Sequence, residues 1–191
     1  MLKKITGLTI AALLVSGMMT IGTWAFFSDF ETASNNVMTA GTLDLKTNDA
    51  DGVSQTLFAT NMRPGDTIGP EYIVLKNSGT VAASSSAMAF TYTENDAATN
   101  PVNKTADETA AMIEVVTLNY GGSSVLGSVT DTNVNGYRDI QDLKNTTFSG
   151  LTGIAAGDTK NFEIVIRPRS STAKEFQADG ITITMNFTLN Q

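Results

Sequence analysis

The 191-residue chain contains no cysteine and no histidine. Without cysteine there is no disulfide framework, so the fold must rest on its core, on bound metal or on partner contacts. Without histidine there is no Ser-His-Asp triad, no Cys-His pair, no HExxH zinc helix and no histidine proton shuttle. Helical periodicity is also lacking: no apolar stripe at spacing three and four runs beyond two turns. Positive charge is scarce, with 12 basic residues against 19 acidic ones and a net charge of −7. That balance argues against nucleic acid or an anionic membrane as a partner.

What is present begins with a leader. Lys3 and Lys4 give a short basic start, and no charge follows from Ile5 to Trp24. Thr23-Trp24-Ala25 ends the run on a small residue, with Thr two places before it, as a signal peptidase requires. Residues 1–25 therefore read as a signal peptide cleaved between Ala25 and Phe26. The leader holds two of the basic residues and none of the acidic ones, so the remainder carries a net charge of −9. An uncleaved anchor is the rival reading, because an uncharged run of about 20 residues can span a bilayer. The polar and small residues Thr6, Gly7, Thr9, Ser16, Gly17, Thr20, Gly22 and Thr23 dilute it.

Beyond the leader the pattern is of period two. Leu43 and Leu45 alternate with polar residues in Val37 to Lys46, and Val53 to Asn61 forms a second strand candidate. Further strands are expected at Tyr72 to Leu75, Val81 to Glu94, Met112 to Tyr120 and Asn161 to Arg167, with a short one at Val125 to Val129. The clearest is Gly180 to Asn190, where Ile181, Ile183, Met185, Phe187 and Leu189 face one side. Turns are expected at Asn48 to Gly52, Met62 to Asp66, Asn77 to Thr80, Gly121 to Ser124 and Ala155 to Asp158. Ala106 to Met112 has helical potential, and Phe148 to Ile154 reads as irregular. About eight short strands with frequent turns predict an all-β protein, an antiparallel jelly-roll-like β-sandwich over residues 37–191.

Several motifs in the first 80 residues resemble the TasA/camelysin family of exported, fibre-forming matrix proteins. They are Thr23-Trp24-Ala25-Phe26-Phe27-Ser28-Asp29, then Thr39-Ala40-Gly41-Thr42-Leu43-Asp44-Leu45, then Arg63-Pro64-Gly65-Asp66 and Lys76-Asn77-Ser78-Gly79-Thr80. The resemblance implies a jelly-roll subunit released by a SipW-type signal peptidase. It also implies assembly into extracellular fibres or bundling pili of a biofilm matrix by donor-strand exchange. Relatives named camelysin have been described as metallopeptidases, but this sequence offers no histidine ligand for that activity, so the expectation here is a protein that is not an enzyme.

Residues 26–36, Phe26-Phe27-Ser28-Asp29-Phe30-Glu31-Thr32-Ala33-Ser34-Asn35-Asn36, are the stretch that assembly would use. Cleavage after Ala25 would make them a free N-terminal donor strand. A sandwich has open strand edges that template another strand, and strand addition takes affinity from backbone hydrogen bonds and specificity from side-chain pockets. Burial of Phe26, Phe27 and Phe30 would contribute roughly 1.5 to 3 kcal/mol each. A strand inserted into the next molecule makes a heterologous contact, which builds a filament when its rotation does not close. The competing arrangement packs the same phenylalanines into their own domain.

Residues 131–142, DTNVNGYRDIQD, match the calcium loop D-x-[DN]-x-[DN]-G at positions 1, 3, 5 and 6, with Asp at position 12 in place of Glu. Asp131, Asn133 and Asn135 would offer side-chain oxygens, Tyr137 its carbonyl, Asp139 a water-mediated contact and Asp142 the closing carboxylate. The short arm of Asp142 resembles the dockerin variant of this loop. With three formal charges, the expected affinity lies around 10⁻⁵ to 10⁻³ M, and the ion, calcium by this spacing, would be structural. A polar loop of Asx turns without metal is the bland alternative. Asn103 and Asn145 begin glycosylation sequons, as does Asn186 within a strand. The expected role is a secreted, extracellular or cell-surface homopolymer subunit that contacts its own copies and other matrix components. The alternative is a monomeric, calcium-stabilised surface or adhesive domain.

Overall fold

A computed structural model describes residues 42–48, 50–51, 54–59, 63–96, 103–170, 176 and 178–191. The leader (1–25), its cleavage site and the proposed donor residues 26–36 lie outside the described residues.

The strands are β1 (Leu45–Thr47), β2 (Ala50–Asp51), β3 (Ser54–Ala59), β4 (Ile68–Asn77), β5 (Ser85–Glu94), β6 (Ile113–Tyr120), β7 (Ser123–Ser124), β8 (Phe148–Thr152), β9 (Thr159–Pro168) and β10 (Ile181–Asn190). They form two antiparallel sheets, one ordered β2-β1-β4-β9-β6-β7 and the other β3-β10-β5-β8. From β3 to β6 the chain changes sheet at each successive strand, and again from β8 through β9 to β10. The fold is thus the expected all-β sandwich.

Alternation explains which face is inside. In β10 every odd residue from Ile181 to Leu189 is buried, and in β9 Phe162, Ile164 and Ile166 are buried in the same way. The even residues of β10 face the other side, as their pairing with Thr91, Ala89 and Ala87 of β5 requires. Between the sheets, Phe162 meets Phe187 at 5.2 Å and Phe90 at 6.1 Å, and Phe90 meets Phe148 edge to face at 5.7 Å. Offset and edge contacts of this kind add to the burial of the rings themselves. Tyr120 ties the sheets together with a polar contact: its hydroxyl donates to Thr152 O (2.9 Å) and bonds Ser86 Oγ (2.7 Å).

The structure departs from the sequence expectation in three places. Phe148 to Thr152 is strand β8, although it reads as irregular, because Gly150 at φ 70° breaks its alternation while Ser85 and Ser86 still pair with it. Leu126–Ser128 is a 3-10 turn and not a strand, since β6 offers β7 only Asn119 and Tyr120 as partners. Ile140–Asn145 is a helix, here α2; the first helix, α1, is Ala106–Ala111 as expected. Both are opened by capping boxes, Thr105 with Glu108 and Asp139 with Asp142, which satisfy the orphan N–H groups of a first turn.

Candidate functional site

Two regions carry the functional signals, the point where the chain enters the sandwich and the loop 131–142.

At the entry, two of the motifs prove to be partners. Thr42 O accepts from Thr80 N (2.8 Å) and Val81 N (3.3 Å), and Asp44 O accepts from Ser78 N (2.7 Å). Thr80 Oγ1 accepts from Thr42 N at 3.0 Å. Gly79 is required by contact: a Cβ there would lie 2.0 Å from Thr42 O. Beneath this clamp Asn77 is fully buried. Its Nδ2 donates to Val81 O (2.8 Å) and Ile154 O (3.0 Å), while Oδ1 accepts from Gly79 N (3.0 Å). One amide therefore fixes the 78–81 turn, and that turn fixes Thr42. The third motif is a type II turn, with proline presetting its first central position and Gly65 at φ 85° supplying the second. Asp66 N closes it on Arg63 O (3.0 Å), and Gly65 N donates to Pro168 O (3.0 Å) at the end of β9.

In the loop, Val134 (φ 56°) and Gly136 (φ 86°) turn the backbone sharply at positions 4 and 6. Asp131 accepts from Asn135 N (3.1 Å) and Gly136 N (2.8 Å). Asn133 Nδ2 and Asn135 Nδ2 converge on Asp139 Oδ2 at 3.0 and 2.7 Å. Asp142 Oδ1 accepts from both N and Oγ1 of Thr132 at 2.7 Å, and its Oδ2 accepts from Asp139 N at 3.2 Å. Asp139 and Asp142 are fully buried, and burial pushes the Asp139 carboxyl above the ordinary carboxylate range against its hydrogen bonds. Ile140 and Leu143 anchor the loop in the core.

The structure thus brings Asp131, Asn133, Asn135, Asp139 and Asp142 into one hydrogen-bonded group. Tyr137 joins them through its backbone, its N–H donating to Asn135 Oδ1 at 3.0 Å, while its ring packs on Arg169 with the guanidinium 4.5 Å from the ring centre. Among the described residues, no three or more acidic, histidine or cysteine side chains are grouped to hold a metal. An ion in this loop would draw on the two asparagine amides, whose oxygens replace their nitrogens by a flip. Thr132 and Gln141, which also bond within the group, carry no sequence signal. Asn103 and Asn145 are exposed, and Asn145 closes α2.

Over residues 1–191 the sequence matches the family described as camelysin metallo-endopeptidase. The chain belongs to the camelysin family. Among curated proteins, none matches it. The activity in that description needs a metal, and the fit is poor: the chain has no histidine or cysteine, and among the described residues no three carboxylates are grouped to hold an ion. No helix among the described residues is long and apolar enough to cross a membrane.

Proposed function

We propose that this camelysin-family protein is an exported structural subunit that polymerises head to tail by donor-strand exchange into extracellular fibres or pili of a biofilm matrix. The observation that carries this reading is the clamp on Thr42. It pins the chain at Thr42 to the 78–81 turn, and five residues, 37–41, separate Thr42 from residues 26–36 in the sequence. Extended, the eleven residues would span about 36 Å, longer than any of the described edge strands β2, β3, β7 and β8. A donor of that length can complete a whole sheet edge of a neighbour, and its three phenylalanines would enter the neighbour's core. Signal-peptide cleavage after Ala25 would free it.

The decisive experiment is deletion of residues 26–36 from the exported protein. The domain should stay folded by circular dichroism and fail to form filaments by negative-stain microscopy, while the intact mature chain forms them. A mature chain that stays monomeric at high concentration would favour the single surface domain instead. N-terminal sequencing of the exported protein tests the cleavage site. A peptidase assay with and without chelator tests the reading that the protein is not an enzyme.

The 131–142 loop is proposed to take calcium as a structural ion. Its support is the donor spacing, the positive φ at positions 4 and 6, and two buried carboxylates in a domain without disulfides. Calcium should raise the melting temperature of the wild type; an unchanged value at millimolar calcium removes the proposal.

A further inference from the structure

Where β6 begins and β9 ends, a cleft of about 320 Å³ opens at one end of the six-stranded sheet. It is lined by Gly65, Glu114, Tyr137, Arg167, Arg169 and Ser170. Two guanidiniums set its chemistry in a chain that is otherwise acidic. Arg167 Nη2 pairs with Glu114 at 2.7 Å, and both remain partly open to solvent. Arg169 is different. It is only 8 % exposed, and among the described residues it has no acidic partner.

The contacts that Arg169 does make are neutral. Its Nη2 donates to Ala111 O and touches Met112 Sδ at 3.3 Å. Its guanidinium lies 4.5 Å from the centre of the Tyr137 ring. Its Nε is buried with no hydrogen-bond partner. A guanidinium keeps its charge at any physiological pH. A buried charge facing only a carbonyl, a thioether and an aromatic ring is poorly compensated, and a buried N–H donor without an acceptor is rarer still.

We propose that this cleft binds a small carboxylate anion, with Arg169 as its principal ligand and Arg167 as the second. Tyr137 covers the Arg169 guanidinium at 4.5 Å, and a planar carboxylate suits the donors that Ala111 O does not take. Among the described lining residues the charge is two guanidiniums against one Glu114 carboxylate, a surplus of one positive charge that a monoanion neutralises and a phosphate dianion overshoots. The volume admits a carboxylate together with a larger organic part, of which acetate is the minimal probe. Nothing in this inference depends on assembly or on calcium.

The test is calorimetric titration of the mature full-length chain with sodium acetate, sodium phosphate and sodium chloride at constant ionic strength, which separates site binding from screening. Acetate should bind saturably, with a dissociation constant on the order of a millimolar. Arg169→Gln should weaken acetate binding at least about tenfold, and Arg167→Gln should weaken it less, since charge-assisted hydrogen bonds carry the site. Arg138→Gln should leave it unchanged, because that side chain turns away to donate to Val129 O at 2.9 Å. If Arg169→Gln does not fold, Arg167→Gln and Arg169→Lys decide, and unchanged acetate affinity in both overturns the proposal. No saturable acetate binding by the wild type overturns it, as does binding of phosphate in preference to acetate.

Discussion

The replacement of Asn77 by leucine tests how the entry of the chain is built. The two side chains are close in volume, so the substitution removes polar bonds with little change in packing. Three bonds are lost. Gly79 N and Val81 O lose the partners that Asn77 gives them, while Ile154 O keeps a second donor in Ala83 N at 2.9 Å. Each buried group left without a partner costs about 1 to 3 kcal/mol, so two full losses and one partial loss amount to roughly 2 to 7 kcal/mol. The added apolar surface of leucine returns about 1 to 2 kcal/mol. The net expectation is a loss of roughly 1 to 5 kcal/mol, a large share of the stability of a domain this size.

The assay is urea unfolding followed by far-UV circular dichroism, with the slope m compared to confirm that the midpoint reports stability. Asn77→Asp adds a second, independent readout. It keeps the acceptor for Gly79 N and turns a carboxylate oxygen toward the carbonyls of Val81 and Ile154. Burial and those carbonyls should raise its pKa in the fold above its unfolded value, near 3.9. The fold then binds the extra proton, so this variant should gain stability as pH falls through the folded pKa, and the leucine variant should lack that gain. A loss below about 1 kcal/mol in Asn77→Leu, with no such pH dependence in Asn77→Asp, would refute the reasoning.

Other perturbations test other parts. Gly79→Ala sets a Cβ against the Thr42 backbone and should destabilise by about 1 to 3 kcal/mol, with faster hydrogen exchange at Thr80 and Val81. Phe162→Ala empties the contact among Phe90, Phe162 and Phe187 and should lower unfolding free energy by about 3 to 5 kcal/mol, read by urea titration. Asp131→Ala with Asp139→Ala should abolish the calcium-dependent rise in melting temperature; at calcium one hundredfold above the dissociation constant that rise corresponds to about 2.7 kcal/mol. Asp107 is held below its ordinary pKa by the Tyr92 hydroxyl, helped by Lys144 at 3.4 Å. Its stabilisation is present above the unfolded pKa and lost as pH falls through the folded one, so Asp107→Asn should flatten melting temperature against pH on the acid side.

The legible part of this fold is the part that local pattern decides. β10 alternates without a break and is fully paired along β5, so period two sufficed. Helix α1 follows from Thr105 and Glu108, a capping box spaced as the rule requires. Helix α2 uses the same device with Asp139 and Asp142, but those residues also satisfy the spacing of a cation loop, so their capping role was hidden by a competing pattern. β8 was hidden for another reason. It is an edge strand whose pairing with β5 shifts between Ser86 and Met88, and no alternation survives that shift. Within the loop, spacing alone singles out Asp131, Asn133 and Asn135, which the fold joins by hydrogen bonds at Asn135 N. Arg169 is not singled out, because its surroundings come from Ala111 and Tyr137, 58 and 32 positions away along the chain, and a lone arginine after a proline carries no signal.

These non-local contacts have a common form, which bears on how a chain without disulfides keeps its ends closed. At the entry, one asparagine amide holds three backbone groups. Between the sheets, one tyrosine hydroxyl reaches Ser86 and Thr152. In the loop, one aspartate, Asp142, takes both donors of Thr132 and the backbone N–H of Asp139. Each places a single polar side chain against groups of a different segment of the chain, and each is costly to remove because its partners are then stranded. A subunit held shut this way can keep its core closed while leaving a strand edge available, which is the combination that assembly by strand addition demands. A disulfide between the sheets would add stability without that selectivity. If the reasoning holds, Tyr120→Phe should loosen the contact between β6 and β8 and lower the melting temperature, yet leave filament formation intact below it.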